Sequence, residues 1–247
     1  MREFELSKRR LMRAGLMAAG GIAAVFAPAV IVRPALATEK KSAAQKPKNS
    51  AAEKKEEVSP PEDLMREHGV LDRVLLLYEA AIRNFSANTD FDPALISQSA
   101  EIIRDFINNY HEKSEEEHVF PRFKRAGQMT SLVDTLLGQH RAGRRVTETI
   151  LGLAPTSRRD DDGRRQLTAA MQSFIVMYRP HAAREDTDLF PKLKDMVSAH
   201  EYDAMAEEFE KEEHRLFGED GFEKMVERVA RLEQAMGIHD LNQFTPR

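Results

Sequence analysis

The 247-residue chain contains no cysteine and no tryptophan. Without cysteine there are no disulfides, thiolate zinc sites, iron–sulfur clusters or C-x-x-C-H haem attachments, so any metal must be held by nitrogen and oxygen. Glycine (12) and proline (11) are sparse, whereas Leu, Ala, Glu, Lys and Arg are abundant, which favours helices over a sheet. With 41% apolar and 32% charged residues, the length suits one helical core with appendages rather than two independent domains. Positive charge is not in excess either. The net charge is −4, and removing residues 1–37, with six Lys and Arg against two Glu, takes it to −8. No nucleic-acid partner is expected of so acidic a protein.

What is present begins with a three-part leader. Ser7-Lys8-Arg9-Arg10-Leu11-Met12-Arg13 is basic, Ala14 to Val32 is Ala-rich and almost uncharged, and Ala35-Leu36-Ala37 is a small-x-small cleavage site. That order reads as a secretory signal peptide over residues 1–37. The basic run resembles the twin-arginine signal, which implies export of a folded, cofactor-loaded protein to the periplasm or cell envelope. An uncleaved stretch of this length would instead be a membrane tether, but the well-formed site and three interrupting glycines favour cleavage after Ala37. Residues 38–60 have one Val as their only large apolar residue and read as a disordered linker.

From Pro61 the pattern becomes helical. Leu64, His68, Leu71, Leu75, Tyr78 and Ile82 recur at spacings of three and four, one stripe facing a bundle. The same holds for Ala100, Ile103, Ile107, His111 and Glu115; for Leu132, Leu136, His140, Gly143, Thr147 and Ile150; and for Ala170, Phe174, Met177, His181 and Glu185. Breaks fall at Asn88 to Pro93, near Ala126 to Gln128 and at Ala154 to Gly163. Short links between long helices predict an all-α fold, an up-down-up-down four-helix bundle over residues 61–195. A C-terminal helical extension over 196–247 follows, with helices at Ser198 to Leu216 and Phe222 to Met236 and Ser198 as N-cap. The extension caps the bundle or makes a homodimer contact.

The halves repeat. His111-x3-Glu115-x4-Phe120-Pro121 is matched by His181-x3-Glu185-x4-Phe190-Pro191, and His68 before Arg73-Val74 by His140 before Arg145-Val146. Two hairpins related by a pseudo-twofold axis would place a two-centre site at that axis. Residues four apart share a helix face, so His111 with Glu115 and His181 with Glu185 are chelating pairs. Burying two unpaired carboxylates among them would cost several kcal/mol each, on the order expected of uncompensated charge, and a bound cation removes that cost. Imidazole with carboxylate suits iron, with manganese or zinc as second choices, and carboxylates from opposite helices can bridge two ions.

This order of residues over about 62–194 resembles the hemerythrin-like (HHE cation-binding) family. The resemblance implies that His68 and His111 serve one iron, His140 and His181 the other, and that Glu115 and Glu185 bridge them. Two departures stand out. Hemerythrins that carry dioxygen have a second histidine one turn after the third-helix one, where this chain has Arg144, so one iron loses a nitrogen ligand. The hemerythrin carboxylate of the fourth helix points to Asp186, but the internal repeat and its Phe-Pro register point to Glu185. Glu112 is either a replacement carboxylate for the histidine-poor iron or a surface acid.

The remaining candidates have simpler readings. His118 reads as a flanking group, and His200, His214 and His239 as solvent-facing. Gly143 leaves room for a small ligand or allows close helix packing. Tyr110 and Tyr178 read as packing residues, with redox chemistry as the alternative. Glu207, Glu208, Glu210, Glu212 and Glu213 read as a solvated face. The expected function is an exported di-iron protein that binds or senses dioxygen, nitric oxide or iron. The alternative is a di-iron enzyme that reduces peroxide or nitric oxide or oxidises ferrous iron.

Overall fold

A computed structural model describes residues 58–158 and 160–246. The leader, and the linker up to residue 57, lie outside the described residues. Helix α1 is Pro60–Ser86; the extended Ser59 precedes it, a proline opens it, and Glu62 and Asp63 in its first turn complement the helix dipole. Helix α2 runs over 94–126 as consecutive segments, Ala94–Ile102, Ile103–His111, Glu112–Ser114, Glu115–Val119 and Phe120–Ala126. It ends at Gly127, whose φ of 66° is left-handed, with Gly127 N–H bonding to the Lys124 carbonyl and Gln128 N–H to that of Phe123. A residue with Cβ would be strained there.

Helix α3 is Thr130–Leu153, and α4 covers 161–196 as Asp161–Arg184, Glu185–Leu189 and Phe190–Met196. The Asp160 side chain caps α4 by accepting from the Asp162 N–H. Two further helices follow, α5, Ala199–Phe217, opened by a Ser198–Glu201 capping box, and α6, Gly221–Met236. Among the described residues the fold is all-helical.

The apolar seams collect into two clusters. One contains Val74, Tyr78, Phe106, Ile150 and Phe174. The other contains Leu64, Phe120, Phe123, Leu136 and Phe190. Along α1 to α4 in turn, His68, then His111 with Glu115, His140, and His181 with Glu185 fall between residues of the two clusters. The fold therefore sandwiches one polar layer between two dry ones. The extension packs on its own chain. Val229 and Leu232 of α6 join the first cluster, Met205 and Phe209 of α5 join the second, and Arg73 of α1 bonds both Glu233 oxygens at 2.6 and 2.9 Å.

Candidate metal centre

Each long helix with a His-x3-Glu pair widens where the pair sits. Glu115–Val119 and Glu185–Leu189 are π-helical, and the Phe120 and Phe190 N–H groups reach back five residues to the Glu115 and Glu185 carbonyls. Pro121 and Pro191 follow directly. A proline has no N–H for the carbonyl four residues before it and its ring crowds that carbonyl, so a wider turn ahead of it relieves the conflict. Such bulges recur at functional sites.

The six predicted residues are brought together and buried, none more than 3% exposed. Glu115 Oε2 lies 3.6 Å from His111 Nε2 and 3.3 Å from His140 Nε2. Glu185 Oε2 lies 3.4 Å from His68 Nε2 and 3.1 Å from His181 Nε2. His140 and His181 approach Nε2 to Nε2 at 3.2 Å, and the His68 and His111 rings are 4.7 Å apart. The ligand atoms form two tetrads, His68, His111, Glu115 and Glu185, and Glu115, His140, His181 and Glu185, each with all four atoms within 4.8 Å of one another. Both glutamates belong to both tetrads. Their four carboxylate oxygens are buried without a hydrogen-bond partner, an arrangement native proteins avoid unless something else satisfies it. The residues present therefore fit a pair of cations.

Every imidazole turns Nε2 inward and engages a partner with Nδ1. His68 Nδ1 is 2.8 Å from Asp186, His111 Nδ1 2.7 Å from Glu67, His140 Nδ1 3.0 Å from Glu116 and His181 Nδ1 2.9 Å from Gln139 Oε1. An acceptor on Nδ1 fixes that nitrogen as the donor and leaves the Nε2 lone pair free for a metal. Phe190 stacks on His68 and Phe120 on His140, at 5.7 and 5.4 Å, so the Phe-Pro motif also braces an imidazole of the opposite hairpin.

Protons offset part of this charge. Burial pulls the His68 imidazole down, but its hydrogen bond to Asp186 and the negative charge of the adjacent Glu185 outweigh it and raise the pKa to about 10. His140 reaches about 10 in the same way, burial being outweighed by Glu115 and Glu116. His111 falls to about 4, chiefly by burial, which also pushes Glu67 up to about 8. Glu185, despite burial, is held below the usual carboxylate range by His181 and His68.

The structure decides several open alternatives. Glu112 is not a surface acid: it is fully buried, accepts from the Tyr178 hydroxyl and from Asn108 Nδ2 (2.9 Å), and faces Arg144 Nη2 at 2.8 Å. It groups with Glu116 and His140 rather than with the two tetrads. Arg144 Nη2 also lies 2.9 Å from Glu116, so the residue in the place of the missing histidine ties two acids together. Gly143 serves close packing, because a Cβ there would sit 2.1 Å from the Tyr178 hydroxyl; Tyr178 fills the room a ligand would have used. Asp186 takes the outer nitrogen of His68, and Glu185 faces inward.

Tyr110 packs against Phe106 and Phe217. His118 lies against Phe209, and His200, His214 and His239 face solvent. Of the acids on α5, Glu207, Glu208 and Glu210 are exposed, but Glu213 is half-buried and approaches Asp63 and Glu67.

Sequence reasoning missed the outer partners, yet the duplication marks them. Glu67 and Gln139 each precede the first histidine of a hairpin and support the second histidine of the same hairpin. Glu116 and Asp186 each follow a central glutamate and support a histidine of the other hairpin. These matched positions were the available signal.

Comparison with known proteins agrees with the geometry. Residues 59–193 match the hemerythrin HHE cation binding domain. Curated relatives include uncharacterized proteins of Mycobacterium bovis and Mycobacterium tuberculosis, each 47% identical over 190 residues, which is 76% of this chain and 74% of theirs. No solved structure matches. With matching residues over more than half its length and both His-Glu tetrads assembled, the chain belongs to the hemerythrin HHE cation-binding domain family.

Proposed function

We propose that this chain is an exported non-haem di-iron protein of the cell envelope that binds or senses dioxygen, nitric oxide or iron itself. In this reading α1 to α4 form an up-down-up-down bundle around two iron ions. His68 and His111 hold the first, His140 and His181 the second, and Glu115 and Glu185 are shared. Glu112 is the next acid available to the second ion, in exchange for its contact with Arg144. The observation that carries the reading is the set of four buried carboxylate oxygens without partners, facing four inward Nε2 atoms. Nitrogen and oxygen donors in this mixture favour iron over manganese or zinc. Export rests on the leader composition, with cleavage after Ala37 releasing the domain and retention leaving it tethered. A homodimer remains part of the proposal through the exposed faces of the extension.

Metal analysis of the purified mature protein after iron-replete expression tests the reading: about two irons per chain are expected, and less than one removes the di-iron assignment.

A second reading, an enzyme acting on peroxide, nitric oxide or ferrous iron, is favoured by one feature. The Tyr178 hydroxyl is bonded to Glu112 while its ring lies 5.3 Å from that of His181. This places a phenol and the Arg144 cation beside the second position. Bound iron would supply Lewis acidity and electrons; the chain orients the imidazoles and holds the Tyr178 phenolic proton in a hydrogen bond donated to Glu112. Mixing the reduced protein with oxygen separates the readings, since a stable, reversible absorption band supports binding and sustained peroxide turnover supports an enzyme.

A further inference from the structure

We infer that the two cation positions are inequivalent: the one between His68 and His111 binds more tightly and fills first, and the one between His140 and His181 is the exchangeable one. The inference rests on the di-metal reading above and follows from where the internal duplication breaks. A carboxylate accepting the Nδ1 proton makes an imidazole a stronger donor at Nε2, and such partners govern metal affinity as well as ring orientation.

Both imidazoles of the first position have one, Glu67 behind His111 at 2.7 Å and Asp186 behind His68 at 2.8 Å. At the second position the counterpart of Glu67 is neutral Gln139, 2.9 Å from His181 Nδ1. The counterpart of Asp186 is Glu116, whose Oε1 serves His140 Nδ1 at 3.0 Å and also Arg144 Nη2 at 2.9 Å. One oxygen divided between an imidazole and a guanidinium withdraws less charge from the imidazole. Arg144 also faces the additional acid of this side, Glu112.

The residue matching Arg144 in the first hairpin is Asp72, four after His68 as Arg144 is four after His140, so the duplication places opposite charges there. The first side is also flanked by an acid-lined cleft of about 680 Å³, bordered by Asp63, Glu210 and Glu213. The two positions thus share their glutamates but differ in everything that stands behind the histidines.

The test is stepwise titration of the metal-free full-length chain with Co²⁺, followed by absorption and calorimetry. The wild type should show two resolved steps. Glu67→Gln, which keeps shape but cannot become a carboxylate when the cation binds, should weaken the first step by about 10- to 100-fold and leave the second in place. Asp186→Asn, on the rim, should act on the same step. Gln139→Glu should tighten the second step by a comparable factor. The inference is overturned if Glu67→Gln and Asp186→Asn weaken the second step, or if neither moves the first while the wild type still binds two ions. A wild type that binds no Co²⁺ overturns the di-metal reading itself, together with this inference.

Discussion

Raising the pH should tighten cation binding and, in the same range, weaken the metal-free fold. In the metal-free protein His68 and His140 hold protons up to about pH 10, against an ordinary value of 6.5. Groups with raised pKa contribute stability that is complete below pH 6.5 and is lost as the pH climbs to about 10. Glu67, raised to about 8 by burial, works in the same direction, because its ionisation is resisted in the fold from about 4.5 upward. His111 has the opposite sign: its pKa of about 4 means stability is lost as the pH falls from 6.5 towards 4.

A cation on the inward Nε2 atoms must displace the His68 and His140 protons, and Glu67 adds a third where it is still protonated. Two protons released per pair of ions make the overall affinity rise about 100-fold per pH unit between about 8 and 10, about 2.7 kcal/mol per unit, and the third proton steepens the rise below about 8. Calorimetric titration with Zn²⁺ in buffers of different ionisation enthalpy counts these protons directly, and melting curves with and without Zn²⁺ should diverge as the pH rises. Release of fewer than one proton per pair of ions, or an affinity flat over that range, would refute the charge compensation described for the site.

Two further outcomes follow from the same geometry. His111→Ala and His181→Ala should each remove most bound metal by elemental analysis, whereas His214→Ala, on an exposed face of α5, should not; equal losses in all three would refute the ligand assignment. Gly143→Ala should destabilise the protein by about 1–3 kcal/mol through overpacking against Tyr178, seen as a lower melting temperature, and Tyr178→Leu should relieve part of that loss. An unchanged melting temperature for Gly143→Ala would mean that Tyr178 moves aside freely.

The seam histidines, the duplicated His-x3-Glu pairs and the breaks between helices were all legible because each is a matter of spacing. Helical periodicity says which residues share a face, and a repeat says that two faces are equivalent. Glu112 was not settled in this way, because its side chain is buried by partners on other helices, Tyr178 and Arg144, which periodicity along α2 does not contain. Gly143 had two readings for the same reason, since its meaning depends on a ring from α4. The π-helical turns at Glu115–Val119 and Glu185–Leu189 leave no trace in hydrophobic pattern, and Pro121 and Pro191, which follow them, were read in the sequence only as part of the repeat. The outer partners of the imidazoles were visible only once the repeat was read one residue to either side of the ligands.

The placement of the centre between two apolar clusters also fixes how metal loss should be felt. The clusters around Val74 and Phe174 on one side, and Phe120 and Phe190 on the other, are built from apolar contacts that involve no ligand of the cations. The layer between them loses what balances its unpartnered carboxylates, in helices whose hydrogen-bond ladder is already widened. Chelation should therefore open the molecule locally, from the middle, rather than melt it outright. Amide exchange followed by mass spectrometry should show the largest gain over 111–119 and 181–189, with residues 70–78 and 167–175 still protected. Uniform acceleration along all four helices would instead mean that the cations hold the entire bundle together, and that the two apolar clusters are not self-sufficient.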